Sequence, residues 1–314
     1  MNPQGCDNRV RIVHPETIDQ AVRALGRKGV ALGGGTVVSR WVSEGTLPTC
    51  EALVDLGRIP ALRGIRSHDG RFVIGAMTAL SALSQCGGAL ADAAVAIGNP
   101  NIRHGGTVGG NIAGRFPGAD LHAAALVLDA GVGVADSSSE RTIPIERFLE
   151  VGLGSGELIT ELRFVDDPKY RTGYSKVGWR KASAKTIVAV AASFAFEGGV
   201  IQSPRIAVSG IAKSARRTPR AETLLQGSAP RAEVIAAVAR EASQELPLEI
   251  REEPSGAGHV ERSETGRGGS HEARFAEGER GKSEPSEQYR RAVVADELEQ
   301  LLARLAGGAQ KVAR

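Results

Sequence analysis

Apolar and polar positions alternate from Val10 to Val13 and then change period, with Ile18, Ala21, Val22 and Leu25 recurring at three- and four-residue steps. That change predicts a short strand followed by a helix. Thr17 and Gln20 form a T-x-x-Q capping box at the helix start, and Gly29 is its expected stop. Val30 to Leu32 reads as a second strand that runs directly into Gly33-Gly34-Gly35-Thr36. A third strand is expected at Ala52 to Leu56, and the turn His68-Asp69-Gly70 between Gly64-Ile65 and Phe72 to Gly75 predicts a hairpin.

Helical spacing returns at Thr78 to Leu83 and at Ala89 to Ile97. A polar stretch from Gly98 to Ala119 follows, holding seven glycines and two prolines, and is expected to be loop. A helix over Asp120 to Leu128, a strand at Val132 to Ala135 and an alternating run over Leu158 to Phe164 complete this part. Beyond Asp166-Asp167-Pro168, the runs Ile187 to Phe196 and Ile206 to Ile211 flank a turn at Glu197-Gly198-Gly199 and predict an antiparallel sheet. Helices are expected at 219–226, 230–246 and 287–305. The pattern places a boundary near Asp166-Asp167-Pro168, with a smaller second domain beyond it. Residues 251–285 are rich in Gly, Ser, Glu and Arg, with Val260 and Phe275 their only large apolar residues, so they are expected to be a disordered insertion.

Composition removes several function classes. Lys and Arg total 39 against 36 Asp and Glu, with no basic stripe interleaved with aromatics, so nucleic acid is not an expected partner. No segment approaches the roughly 20 apolar residues of a membrane span, and MNPQGCDNRVRIV lacks a basic stretch followed by an apolar run. The expectation is a cytoplasmic chain. Cys6, Cys50 and Cys86 stand too far apart for a disulfide framework or a metal cluster, and no metal ligands or catalytic acid, base or nucleophile are nominated.

Two glycine loops remain as candidate chemistry: Gly33-Gly34-Gly35-Thr36 and Thr107-Val108-Gly109-Gly110-Asn111. Successive exposed amides in such loops bind phosphate oxygens, and Thr36, Thr107 and Asn111 can add neutral donors, which suits a dinucleotide diphosphate held without metal. Either loop alone could be only a tight turn. A Rossmann fingerprint, suggested by Gly33, Gly35 and Asp55, fails at Val38, where the third glycine is missing.

The run IGNPNIRHGGTVGGNIAGRFPGADLHAAALVLDA, residues 97–130, closely resembles the flavin-binding signature of medium subunits in the xanthine dehydrogenase and aerobic carbon monoxide dehydrogenase family. ALGGGTVVSRW resembles that family's other FAD loop, and EALVDLGRIPALRGI with FVIGAMTALSAL the segment between them. The resemblance implies an α+β chain: a two-subdomain FAD-binding fold of the vanillyl-alcohol oxidase (PCMH) type, then a C-terminal domain of antiparallel sheet and helices. It implies noncovalent FAD, with Leu32, Gly33, Gly34, Gly35, Thr36 and Val37 along the adenine and diphosphate path. Thr107, Gly109, Gly110 and Asn111 would hold the diphosphate from the other side. Asp120 would meet sugar or ribityl hydroxyls, and Leu162 and Lys176 would approach the flavin ring.

The same resemblance implies an electron-transfer subunit. A large molybdopterin-binding subunit and a small [2Fe-2S] subunit would be its partners, in a dimer of heterotrimers, with NAD, quinone or oxygen as acceptor. Molybdopterin and [2Fe-2S] would reside only in those partners, since three scattered cysteines cannot ligate even one four-cysteine cluster. A self-contained flavin oxidase or reductase and a noncatalytic assembly subunit are the alternatives. GRFPGAD departs from the family's usual wording before the aspartate, and 251–285 interrupts the C-terminal domain where relatives are short.

Overall fold

The computed structural model describes residues 10–26, 28–114, 118–179, 185–249 and 285–307. Cys6, the GRFPGAD residues 115–117 and all but Pro285 of the expected insertion lie outside the described residues.

Three sheets follow one another along the chain. The first contains β1 (Arg11–Val13), β2 (Gly29–Leu32) and β3 (Ala52–Asp55), all parallel, in the order β1-β3-β2. Helix α1 (Ile18–Leu25) covers it, burying Ala21, Val22 and Leu25 against Ala52 and Val54. The expected cap is present: Thr17 Oγ1 accepts from the Gln20 amide at 3.2 Å, while Gln20 Oε1 accepts from the Glu16 amide, one residue before the usual partner. The helix stops at Gly26, with φ 43°, rather than at Gly29, which opens β2. Helix α2 (Val38–Glu44), which the sequence pattern does not predict, leads from the first glycine loop to Gly45.

The second sheet has the order β4-β5-β8-β6-β7, from β4 (Ile65–His68), β5 (Arg71–Gly75), β6 (Gly131–Ala135), β7 (Glu140–Pro144) and β8 (Leu158–Val165). All its pairings are antiparallel. The expected helix at 78–83 is a 3-10 helix at Leu80–Gln85, followed by α3 (Gly88–Ala96). Within the glycine-rich stretch expected to be loop lie two short helices, α4 (Pro100–Gly105) and α5 (Val108–Ala113). Each has its own N-cap: Asn99 accepts from the Ile102 amide and Thr107 from the Gly110 amide. Helix α6 (Asp120–Val127) is buried along its whole length, and α7 (Ile145–Val151) closes this part.

The third sheet, β12-β11-β10-β9, is antiparallel, from β9 (Tyr170–Gly178), β10 (Thr186–Glu197), β11 (Val200–Ser209) and β12 (Arg216–Arg217). Ten consecutive residues of β10, Thr186 to Ala195, are buried, because α3 and α6 cover one face and α8 (Pro219–Leu225), α9 (Ala232–Glu245) and α10 (Glu287–Gly307) the other. Helix α10 is anchored by the buried Arg290, whose guanidinium donates to the carbonyls of Ile187 at 2.7 Å and Gly210 at 3.0 Å. Among the described residues, no helix is long and apolar enough to cross a membrane.

Candidate functional site

Parallel strands end on one edge, and in such sheets ligands gather at the carboxyl ends. The first glycine loop leaves that edge after Leu32, the last residue of β2, and enters α2 through Val37. Gly35 sits at φ 76°, a conformation that only glycine adopts without strain. The amides of Gly34, Gly35 and Thr36 have no protein acceptor among the described residues. Three successive N–H groups are thus available to an anion.

The second loop packs on the second sheet, beside the end of β5. Thr107 Oγ1 accepts from the Gly110 amide at 3.2 Å, so its own O–H remains able to donate. The Gly109 amide donates to the Ala76 carbonyl at 2.8 Å, and a Cβ at Gly109 would fall 2.7 Å from that of Ala76, which fixes α5 against the end of β5. Asn111 Oδ1 accepts from the Leu121 amide at 3.4 Å and ties α5 to α6.

The two loops touch. A Cβ on Gly34 would lie 1.7 Å from the Gly105 carbonyl oxygen, and one on Gly33 would lie 2.9 Å from Thr107 Oγ1. Residues more than seventy positions apart therefore form one cradle of backbone amides and neutral hydroxyls. Such a donor set fits a diphosphate, whose oxygens only accept.

Asp120 is the first residue of α6, and Ala119 is the cap, so the carboxylate does not cap its own helix. It is 6% exposed and engaged with the third sheet instead. Tyr174 Oη and Thr186 Oγ1 each donate to Oδ1 at 2.8 Å. Lys176 Nζ lies 3.1 Å from Oδ1 and 3.2 Å from Oδ2, and donates to the Ala96 carbonyl at 2.9 Å. Burial pushes the Asp120 carboxyl above its ordinary range, against the Lys176 charge and the two hydroxyls, which hold it down. Tyr174 is driven well up by burial and by the neighbouring carboxylate.

Sequence reasoning thus names both ends of the ion pair but misses Tyr174 and Thr186. A signal for Tyr174 existed: it stands two residues before Lys176, hence on the same face of a strand. Thr186 carried none, because only the register of β10 on β9 brings it to Asp120. Leu162 behaves differently from the others. It is 1% exposed, between Ile74 and Val132 in the middle of the second sheet, so its side chain belongs to the core and offers no surface to a ligand. His104 is held at the end of α4, its Nδ1 2.7 Å from the Pro100 carbonyl. Among the described residues no three His, Cys, Asp or Glu side chains gather as a metal site, and burial drives the Cys86 thiol up to about 11. An open cavity of about 710 Å³ between α9 and α10, lined by Arg240, Gln244, Glu287 and Arg291, shares no residue with either loop.

The family model described as the FAD binding domain in molybdopterin dehydrogenase matches residues 8–164, and the CO dehydrogenase flavoprotein C-terminal domain matches residues 174–257. The carbon monoxide dehydrogenase medium chain of Hydrogenophaga pseudoflava is 30% identical over 246 residues, covering 72% of this chain and 83% of that one. The 6-hydroxypseudooxynicotine dehydrogenase complex subunit alpha of Paenarthrobacter nicotinovorans is 32% identical over 247 residues, 74% of this chain and 82% of that one. A solved structure of the Hydrogenophaga carbon monoxide dehydrogenase, in a form lacking the Mo-pyranopterin moiety, superimposes with a TM-score of 0.77 at 25% identity, over 96% of each chain.

Proposed function

The chain belongs to the family of FAD-binding subunits of molybdopterin dehydrogenases, and we propose that it works as the electron-transfer flavoprotein of a multi-subunit molybdenum-dependent dehydrogenase. The observation that carries this reading is the cradle formed where Gly33 to Thr36 meets Gly105 to Asn111. In it the amides of Gly34, Gly35 and Thr36, with the hydroxyls of Thr36 and Thr107, hold the FAD diphosphate. Asp120 accepts from a sugar or ribityl hydroxyl, and Lys176 brings a cation toward the flavin. Bound FAD supplies the exchange between one-electron and two-electron steps.

Electrons reach it from the [2Fe-2S] clusters of a small partner subunit and leave to NAD, quinone or oxygen. The clusters must be the partner's, because this chain has three cysteines, Cys86 is buried, and a cluster takes four. A large molybdopterin subunit handles the substrate, and the three chains assemble as a dimer of heterotrimers in the cytoplasm. Substrate binds in that large subunit, and this chain is not active on substrate by itself. Residues 1–60, 61–167 and 168–314 are its three units.

The test is affinity purification of the tagged chain from its native host, with a visible spectrum and metal analysis. Flavin absorbance with co-purifying iron and molybdenum is expected. Flavin without metals or partner chains would replace this reading with a self-contained flavin enzyme, and no flavin would leave an assembly subunit.

A further inference from the structure

Helix α6 is buried along its whole length and apolar apart from Asp120 and His122, a setting where a carboxylate persists only if its partners are well placed. Its two oxygens are not treated alike. Among the described residues, Oδ1 accepts hydrogen bonds from Tyr174 and Thr186 and has the Lys176 ammonium 3.1 Å away, whereas Oδ2 accepts one hydrogen bond, from Lys176. Its two hydroxyl donors fill Oδ1, while Oδ2 keeps a lone pair among the described residues. Gly118 packs tightly on Thr186: a Cβ there would lie 3.2 Å from Thr186 Cβ and 3.3 Å from its carbonyl oxygen.

Resting on the FAD reading above, we propose that Tyr174 and Thr186 are positioning residues for the flavin site, saturating one oxygen of Asp120 so that the other is aimed at a hydroxyl of the cofactor. Neither residue touches the ligand. Without them the carboxylate would rotate about its terminal torsion, which is broad, and would lose two charge-assisted hydrogen bonds. These two hydroxyls and Lys176 also hold the Asp120 carboxyl down against burial. Of the other groups near it, Asp92 on α3 accepts from the Tyr174 amide, and His122 on α6 has its Nε2 on the Ile112 carbonyl. Arg205 and Arg217 bind Asp129, beyond the far end of α6.

The experiment is FAD titration of the flavin-depleted full chain, followed by flavin fluorescence from pH 4.5 to 8, with the apo melting temperature as control. In the wild type, FAD affinity falls as Asp120 protonates. Tyr174→Phe and Thr186→Val should each weaken FAD about tenfold at neutral pH, the scale of one hydrogen bond to a charged group. Each should also move the acid loss of affinity to higher pH, since each removes an interaction that favours the ionised form. Thr186→Ser, which keeps the hydroxyl, should restore both. If Tyr174→Phe does not fold, the Val and Ser variants at 186 carry the test. Weak binding in Asp120→Asn with unchanged affinity and pH profile in the Tyr174 and Thr186 variants would overturn this inference and leave the FAD reading intact. Undiminished binding in Asp120→Asn would overturn both the inference and the assignment of Asp120.

Discussion

Gly34 shows how one missing Cβ can serve two ends. Its amide is open to a ligand, while its Cα lies so near the second loop that any side chain would enter the Gly105 carbonyl. Because the obstacle is backbone, no rotamer change relieves it, and the loops would have to separate. Overpacking of this kind costs about 1–3 kcal/mol. Gly34→Ala is therefore expected to weaken FAD at least tenfold by opening the cradle. Gly45→Ala is the control. Gly45 has a positive φ of 67° but open space around its Cβ position, so that variant should lose some stability to strain and bind FAD normally. Equal FAD affinity in both variants would show that the contact between the loops does not shape the site. At this scale the sequence was informative: glycine runs, Asp120 and Lys176 are identities that a string of letters displays. What it hid was commitment, such as the core burial of Leu162 and the hydroxyls already bound to Asp120.

Elements are legible where one local signal dominates. Thr17 and Gln20 mark α1, and His68-Asp69-Gly70 marks the β4-β5 hairpin, whose Asp69 and Gly70 both take positive φ. Stretches where signals compete were not. In α4 and α5, glycine's cost to a helix suggests loop, yet the caps Asn99 and Thr107 and the fixed contact of Gly109 with Ala76 override it. Strand β9 carries Gly173 near its middle with Arg171 and Lys176 on either side, and its place is set by pairing with β10 rather than by its own pattern. The β6-β7 hairpin was half visible. Its turn is organised by Asp136, whose Oδ1 accepts from the amides of Ser138 at 2.7 Å and Ser139 at 2.8 Å and from the Ser138 hydroxyl at 2.7 Å. Those bonds lower the Asp136 carboxyl to about 2. Since the folded value is depressed, the turn's contribution is complete above the ordinary carboxylate range and is lost as pH falls through about 2. A carboxyl carbon-13 titration should find that midpoint near 2 in the wild type. A midpoint near the ordinary value of 3.8 would remove Asp136 as the organiser of the turn.

For the whole molecule the question is how far ligand binding reaches. The cradle joins the first sheet to the second, and the Asp120 cluster joins the second to the third through β9 and β10. A ligand that engages both should stabilise all three together. With FAD at a hundredfold excess over its dissociation constant, linkage gives about 2.7 kcal/mol, which for 314 residues unfolding together is a rise in melting temperature of about 4 °C. The two tryptophans can divide that rise between regions: Trp41 lies in α2 beside the first glycine loop, and Trp179 follows β9 and packs on the core of the third sheet. Fluorescence of both, separated with single Trp→Phe variants, is expected to shift upward by the same amount on adding FAD. In Asp120→Asn the shift seen at Trp179 should shrink more than the shift at Trp41, because the cradle survives while its tie to the third sheet is cut. A Trp179 transition that ignores FAD in the wild type would confine the flavin's influence to the first two sheets, and the ion pair between Asp120 and Lys176 would then be a structural clasp alone.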